Sequence, residues 1–274
     1  MFRLDWIEKN IQIKKDFKVI HSTAVIEKGA KIGDNVKIGA YSFIGMDVVI
    51  GDNCTISSHV VITGNTKCGV GNKFFPFSCI GEVAQDKKHN GETTHLVIGD
   101  NNIFREYATV HRGTVQDEGI TRIGSNNLFM AYSHVAHDAV IGNNVVFSNS
   151  ATVGGHVHVG DWAILSGSTS IHQFCKIGTH AFIGGHSGVA QDVLPFVTVM
   201  GTPAKPVAIN IEGMKRRGYT PEEIMTARRA YKTIYRKGLM LTQAKEVLVS
   251  DFEGSDVVQV MLKFLAGSTR GISR

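Results

Sequence analysis

The stretch AVIEKGAKIGDNVKIGAYSFIGMDVVIGDN, residues 24–53, repeats one pattern every six residues. In each hexad the third residue is isoleucine, the fourth is often glycine, and the first is small or β-branched. The apolar face of a helix recurs every 3.6 residues and that of a half-buried strand every two, so neither accounts for this period. A period of six is typical of a parallel β-helix, in which each hexad is a short strand plus a corner and the third residue points into the coil.

The repeat continues through most of the chain but is interrupted twice by polar segments. The interruptions lie at about residues 82–95 and 113–119, and the pattern then runs in a new phase from Ile123 to Val189. In so regular a solenoid, such segments are predicted to be loops that project from the coil. Loops of this kind often carry function.

After Asn210 the apolar pattern becomes helical. Residues 220–223, TPEE, form a capping box with proline at the first helical position, and two further helical stretches follow. The predicted architecture is therefore an all-β solenoid plus α. We expect the β-helix with its two loops to span residues 1–211, and an α-helical domain that caps its end to span residues 212–274.

Composition limits the class of protein. The chain is 43% hydrophobic, which is enough for a sizeable core, but no apolar run is as long as a membrane span. The first residues lack the apolar core of a signal peptide, so we expect a cytoplasmic protein without stable membrane insertion. The four cysteines form no CxxC pair and no metal-binding spacing, and we expect them to be reduced and structural.

The net charge of +5 is confined to the C-terminal part. Residues 1–211 hold 17 Lys or Arg and 17 Asp or Glu, whereas residues 212–274 hold 12 and 7. A basic C-terminal part fits an acidic partner, which could be nucleic acid, anionic lipid or an acidic protein. A solvated helix surface explains the same charges.

The segment AYSHVAHDAV, residues 131–140, carries two histidines and an aspartate outside the inward position. With three hexads per coil, residues eighteen apart stack on one corner, about 5 Å per rung. We therefore expect six residues to converge over three rungs: His137, Asp138, Gly155, His156, His172 and Gln173.

Three interpretations of this cluster are open from the residues alone. The histidines could bind zinc, or His137 could act as a general base oriented by Asp138. Alternatively, the corner is simply solvated and tolerates polar residues. The clustering, beside a glycine column that exposes backbone N–H groups, favours a functional site.

Six motifs together resemble one known family. They are SHVAHD (133–138), GGHV (154–157), SIHQFC (170–175), GEVAQDKK (81–88), HRGTVQ (111–116) and NIEGMKRRG (210–218). The set strongly resembles the UDP-N-acetylglucosamine O-acyltransferases, which carry out the first step of lipid A synthesis with acyl carrier protein as donor. The resemblance implies a homotrimer of left-handed parallel β-helices with active sites between subunits. It implies no cofactor, no metal and no nucleic acid.

The resemblance also implies residue roles. His137 would deprotonate the 3-hydroxyl of UDP-N-acetylglucosamine, Asp138 would orient it, and the Gly155 N–H would face the oxyanion, with no covalent intermediate. The resemblance also implies that Asp86 and Lys88 contact the 3-hydroxyacyl chain and that Gly185 lies at the position that sets acyl-chain length. The implied contacts with the sugar nucleotide are His134, His156, His172 and Gln173. The residues implied to lie around the nucleotide are Asn210, Glu212, Arg216 and Arg217. The basic residues expected to steer the acidic carrier protein are Arg228, Arg229, Lys232, Arg236 and Lys237.

Two departures from the family pattern leave alternatives open. The N-terminus is longer than expected, as an additional capping segment would be, and the acceptor loop reads KKHNGETTH at 87–95. The second departure bears on acyl-chain length and on the acceptor, so transfer to a 3-amino UDP-sugar remains an alternative. The paralogous N-acyltransferase, a zinc-dependent γ-class carbonic anhydrase and a non-catalytic sugar-nucleotide-binding solenoid are further alternatives.

Overall fold

The hexads fold as short strands that alternate with tight corners. The computed structural model describes residues 20–274, and the extended N-terminus that we expect to be a capping segment lies outside them. Three successive strands complete one coil, and most strands pair in parallel with the strand eighteen residues further on, as Val25 pairs with Phe43. The predicted parallel β-helix with three hexads per coil is therefore confirmed.

Within residues 20–274 the strands, numbered in chain order, form three sheets that run along the solenoid. Sheet I contains β1 Val25–Ile26, β4 Phe43–Ile44, β7 Val61–Ile62, β10 Cys79–Glu82, β13 Thr109–His111, β16 His134–Val135, β19 Thr152–Val153, β22 Ser170–Ile171 and β25 Gly188–Val189. Sheet II contains β2 Lys31–Ile32, β5 Val49–Ile50, β8 Asn65–Cys68, β11 His95–Ile98, β14 Ile120–Ile123, β17 Val140–Ile141, β20 His158–Val159 and β23 Lys176–Ile177. Sheet III contains β3 Lys37–Ile38, β6 Thr55–Ile56, β9 Lys73–Phe74, β12 Ile103–Phe104, β15 Leu128–Phe129, β18 Val146–Phe147, β21 Ile164–Leu165, β24 Phe182–Ile183, β26 Val197–Met200 and β27 Lys205–Ile209, the last antiparallel to β26.

The core is built from the third residue of each hexad. From Ile38 to Val189 these side chains are at most 3% exposed, and phenylalanines fill successive rungs of sheet III. The rings of Phe74, Phe104 and Phe129 stack in parallel with centroids 5.1 and 4.7 Å apart. Burying each such side chain contributes about 1.5–3 kcal/mol to the stability of the solenoid.

Both interruptions of the repeat are loops on one corner of the solenoid. Asn65 pairs with His95, 30 residues on, and His95 pairs with Ile120, 25 residues on, whereas most coils without an inserted loop repeat after eighteen residues. The first loop, residues 83–94, and the second, residues 112–119, both connect sheet I to sheet II. We call this edge the site corner. In later coils it consists of residues 136–139, 154–157 and 172–175.

Four helices follow β27 in the described chain. They are α1 Ile211–Arg216, α2 Pro221–Tyr235, α3 Leu241–Asp251 and α4 Asp256–Gly267. The predicted capping box is present, with the Thr220 side chain accepting from the Glu223 N–H and the Glu223 carboxylate accepting from the Thr220 N–H. Among the described residues, no helix is both long enough and apolar enough to cross a membrane.

Candidate active site

The site corner brings successive coils into direct contact. The His156 N–H donates to the His137 carbonyl and the Phe174 N–H donates to the Gly155 carbonyl, both at 3.0 Å. The imidazole of His156 lies parallel to the Phe174 ring, with centroids 4.4 Å apart. The prediction that residues eighteen apart stack on this corner is therefore confirmed.

His137 and Asp138 form a hydrogen-bonded pair on this corner. Nδ1 of His137 lies 2.9 Å from Oδ2 of Asp138, whose side chain is 2% exposed. Thr114, in the second loop, donates to the same carboxylate from its N–H at 2.9 Å and from its hydroxyl at 2.6 Å. The Asp138 N–H in turn donates to the Thr121 hydroxyl at 2.8 Å.

These contacts keep the Asp138 carboxylate ionised. Burial alone would raise the pKa of Asp138, but the hydrogen bonds from His137 and Thr114 lower it below its ordinary value. An ionised carboxylate accepts the Nδ1–H of His137. In the neutral imidazole this leaves the Nε2 lone pair free to take a proton.

Gly155 lies against the ring of His137. A Cβ at this position would be 2.5 Å from Cε1 and 2.7 Å from Nε2 of His137, so only glycine lets the ring occupy its place. Within residues 20–274 the buried Gly155 N–H donates no hydrogen bond. A buried N–H without a partner is rare, and the residue that carries this one lies against the imidazole.

A second histidine–carboxylate pair adjoins the first. Nδ1 of His156 lies 2.6 Å from Oδ2 of Asp117, which belongs to the second loop. The His156 ring meets the His137 ring edge-on, with centroids 5.1 Å apart. The site thus contains two imidazoles, each hydrogen-bonded through Nδ1 to a carboxylate.

The two loops and the corner enclose a cavity of about 700 Å³. Its lining includes Asp86 and Lys88 from the first loop and Gln173 from the corner, together with Asp117, His137 and His156. Ligand atoms of His137, Asp138 and His156 lie within 4.8 Å of one another, and these groups could hold a zinc ion. The cavity can hold a polar ligand beside His137.

The sequence and the fold of this chain are similar to those of known proteins. A family model described as "Udp N-acetylglucosamine O-acyltransferase; Domain 2" matches residues 192–273, and one for the bacterial transferase hexapeptide repeat matches residues 29–64 and 120–155. A UDP-N-acetylglucosamine acyltransferase from Francisella novicida is 42% identical over 93% of this chain and 94% of its own, with a TM-score of 0.91. LpxA from Acinetobacter baumannii is 45% identical over 93% and 100%, and the Moraxella catarrhalis UDP-N-acetylglucosamine O-acyltransferase is 42% identical over the same shares, both with a TM-score of 0.91.

The chain belongs to the UDP-N-acetylglucosamine O-acyltransferase family. Its fold is the predicted left-handed parallel β-helix followed by C-terminal helices. The resemblance stated from the sequence motifs is confirmed.

Two further predicted site histidines of this family member lie near the cavity. His134 is on β16, with Nδ1 2.7 Å from the Thr109 hydroxyl. Burial, and then the neighbouring His137, lower its pKa, so His134 is held neutral. His172 is exposed on the site corner, where its Nδ1 donates to the Gln173 carbonyl at 3.1 Å.

The other predicted residues lie on different edges of the same chain. Asn210 caps α1 and donates to the His180 carbonyl at 2.9 Å, on the corner between sheets II and III. Arg217 stacks on Trp162 at 3.8 Å on that corner. Gly185 is exposed on the corner between sheets III and I. Within one chain, therefore, the structure does not bring Asn210, Arg217 and Gly185 to the cavity with His137. Glu212 and Arg216 lie on the same short helix as Met214, next to Asn210.

Thr114 and Asp117, which contact predicted site residues of the acyltransferase, were not predicted from the sequence. The only signal was the polar interruption at 113–119 and the motif HRGTVQ, which contains Thr114. Neither indicates that the loop folds back onto the next two rungs. No spacing rule connects a loop residue to an aspartate 24 residues away or to a histidine 39 residues away.

Proposed function

We propose that this family member transfers a 3-hydroxyacyl group from acyl carrier protein to the 3-hydroxyl of UDP-N-acetylglucosamine, the first step of lipid A synthesis. The observation that carries the proposal is the contact of the His137 imidazole with Asp138 on one side and Gly155 on the other. A general base, its orienting carboxylate and an open backbone N–H are the groups that acyl transfer from a thioester needs.

In the proposed mechanism Nε2 of His137 takes the proton of the sugar 3-hydroxyl as its oxygen attacks the thioester carbon. Asp138 stabilises the resulting imidazolium through Nδ1–H. The carbonyl oxygen gains the negative charge and accepts from the Gly155 N–H. The C–S bond then breaks, and the departing thiolate takes the proton from Nε2, which restores the neutral imidazole. The scheme uses no covalent enzyme intermediate, cofactor or metal.

The residues on the other edges support a homotrimer with sites between subunits. Side chains on the outer face of sheet III form an apolar stripe in register, and all are half-buried: Ile103, Leu128, Val146, Ile164 and Phe182. An apolar stripe on an outer sheet face fits a contact with a second copy of the chain. In such an assembly Asn210 and Arg217 would complete the cavity of a neighbouring subunit.

The helical region supplies a surface for the acyl donor. Five basic side chains at and after α2 are exposed: Arg228, Arg229, Lys232, Arg236 and Lys237. Acyl carrier protein is acidic, so opposite charges would steer its approach. We propose that this basic patch docks the carrier protein beside the site.

The test is a transfer assay read by mass spectrometry, with a panel of 3-hydroxyacyl carrier proteins and UDP-N-acetylglucosamine. His137→Ala is expected to lose at least ~10²-fold in rate, whereas His21→Ala, an exposed histidine of the first coil, is expected to keep wild-type activity. A chelator should leave turnover unchanged, because the scheme needs no metal. Equal activity of wild type and His137→Ala would contradict the assigned base, and product only with a 3-amino UDP-sugar would favour N-acylation.

A further inference from the structure

The contact between Asp117 and His156 indicates a role for the second inserted loop. We propose that Asp117 is a positioning residue that fixes the ring orientation of His156, so that this loop determines how tightly the site holds the acceptor sugar nucleotide. The inference deepens the proposed function and rests on it. It concerns acceptor binding rather than the proton transfer at His137.

The plane of the His156 ring is set by its aromatic neighbours. Phe174 stacks on one face at 4.4 Å and an interplanar angle of 4°, and His137 meets the ring edge-on at 87°. The ring is only 13% exposed, which leaves little room to tilt. A half-turn about the Cβ–Cγ bond is the remaining freedom, because it returns the ring to the same plane and keeps the stacking on Phe174.

Asp117 selects one of these two orientations. Its Oδ2 lies 2.6 Å from Nδ1 of His156, while its Oδ1 accepts the Glu118 N–H at 2.9 Å, which holds the carboxylate in place. A half-turn would put a ring carbon in place of Nδ1 and lose a charge-assisted hydrogen bond. The loop therefore favours the orientation in which Nδ1 faces Asp117.

This orientation leaves Nε2 of His156 available to a ligand. The nearest carboxylate oxygen, Oδ2 of Asp138, is 4.0 Å away, which is too far for a hydrogen bond. Over residues 20–274 the Nε2 atom of His156 therefore has no hydrogen-bond partner. With Nδ1–H given to Asp117, the neutral ring presents Nε2 as an acceptor for a sugar hydroxyl beside His137.

The two carboxylates of the site thus have separate tasks. Asp138 is 2% exposed and is held by Thr114 and His137, which suits the support of a base. Asp117 is 44% exposed on a loop, and of His137 and His156 it contacts only His156, the histidine proposed to bind the acceptor. Loss of Asp117 should therefore weaken acceptor binding, with little change in the rate of acyl transfer once the acceptor is bound.

The chain provides a matched control on the same loop. Glu118 is 74% exposed and its ion-pair partner is Arg122, at 3.5 Å. Asp117→Ala and Glu118→Ala each remove one negative charge from the loop, but only the first removes the contact with His156. Asp117→Asn keeps an oxygen that can accept from Nδ1–H and should recover part of the binding.

The first experiment measures kcat and KM for UDP-N-acetylglucosamine at saturating donor. Asp117→Ala is expected to raise KM about tenfold with kcat within about twofold, Asp117→Asn to be intermediate, and Glu118→Ala to match wild type. In a His156→Ala background, Asp117→Ala should have no further effect. An additive effect in that background, or an equal effect of Glu118→Ala, would overturn the inference.

A second measurement does not need turnover. Diethyl pyrocarbonate labels unprotonated imidazole, and peptide mass spectrometry gives the labelling rate of each histidine at pH 7. Asp117→Ala should speed labelling of His156 severalfold. Labelling of His134 in this variant, and labelling of His156 in Glu118→Ala, should be unchanged. If wild type transfers no acyl group to UDP-N-acetylglucosamine, the proposed function fails while labelling still tests the positioning. Unchanged labelling of His156 would refute the positioning alone.

Discussion

The imidazole of His137 lies over the backbone of Gly155, at a distance that no other residue at position 155 would permit. A Cβ there would be 2.5 Å from Cε1, well inside van der Waals contact. The contact arises because the two residues are eighteen apart and so share the site corner. It places the proposed base beside the N–H that is proposed to face the oxyanion.

Gly155→Ala should therefore displace the His137 ring. We expect kcat to fall by about 10²-fold, because a shift of about 1 Å in a catalytic group has effects of this size. The control is Gly167→Ala on another corner, where a Cβ would meet nothing closer than 3.6 Å. Similar losses in both variants would indicate damage to the coil instead of displacement of the ring.

Thr114→Val tests the support of the Asp138 carboxylate. The variant keeps the backbone donor at 2.9 Å but loses the hydroxyl donor at 2.6 Å. A weaker set of donors should raise the pKa of Asp138 and loosen His137, so kcat is expected to fall about tenfold with KM for the acceptor unchanged. Thr114→Ser keeps the hydroxyl and should retain most activity. A KM effect without a kcat effect would argue against this support.

The stability of the fold should depend on pH through His180. This buried ring stacks between Trp162 and Phe196, and burial, followed by the charge of Arg217, lowers its pKa to about 4. The unfolded state, with a pKa of about 6.5, binds the proton first as pH falls. The stability that the neutral His180 ring contributes is therefore fully present above about pH 6.5 and is lost toward pH 4.

The magnitude can be measured with an aromatic replacement. Between pH 7.5 and pH 5 this one histidine should cost the native state about 2 kcal/mol. His180→Phe keeps the stack between Trp162 and Phe196 without a titrating group, so its unfolding free energy should fall less over that interval. Urea unfolding at both pH values gives the comparison, and an equal fall in both proteins would rule out His180 as a source.

The basic patch on α2 should govern the use of the carrier-protein donor. Arg229→Glu with Lys232→Glu is expected to lower kcat/KM for acyl carrier protein at least tenfold and to weaken its salt dependence. Lys31→Glu with Lys37→Glu reverses two exposed charges on the first coil and serves as the control. If the transfer rate of the wild type does not change with salt concentration, electrostatic steering of the carrier protein is contradicted.

Most of the solenoid could be predicted from the sequence because its rule is local and repeats. One inward apolar residue per hexad specifies strand, corner and rung, so the pairing of Val25 with Phe43 and the stacking of His156 on Phe174 follow from counting eighteen residues. The capping box at Thr220 is equally local and was also predictable. The short helix α1 was not predicted separately, since it follows directly from β27.

The contacts that the second loop makes with the site could not be predicted in this way. Thr114 and Asp117 lie in a loop without a period, and their contacts with Asp138 and His156 depend on the path of that loop over the next rungs. The separation of Arg217 from the His137 cavity is also a property of the coil geometry, because the two residues lie on different corners. By itself the sequence determined the coil and the corner, since these depend on spacing along the chain, whereas the role of His137 as a base is implied by the family resemblance and stays a prediction. Only the tertiary structure decided which loop side chains hold Asp138 and His156, because those contacts join segments that no repeat relates.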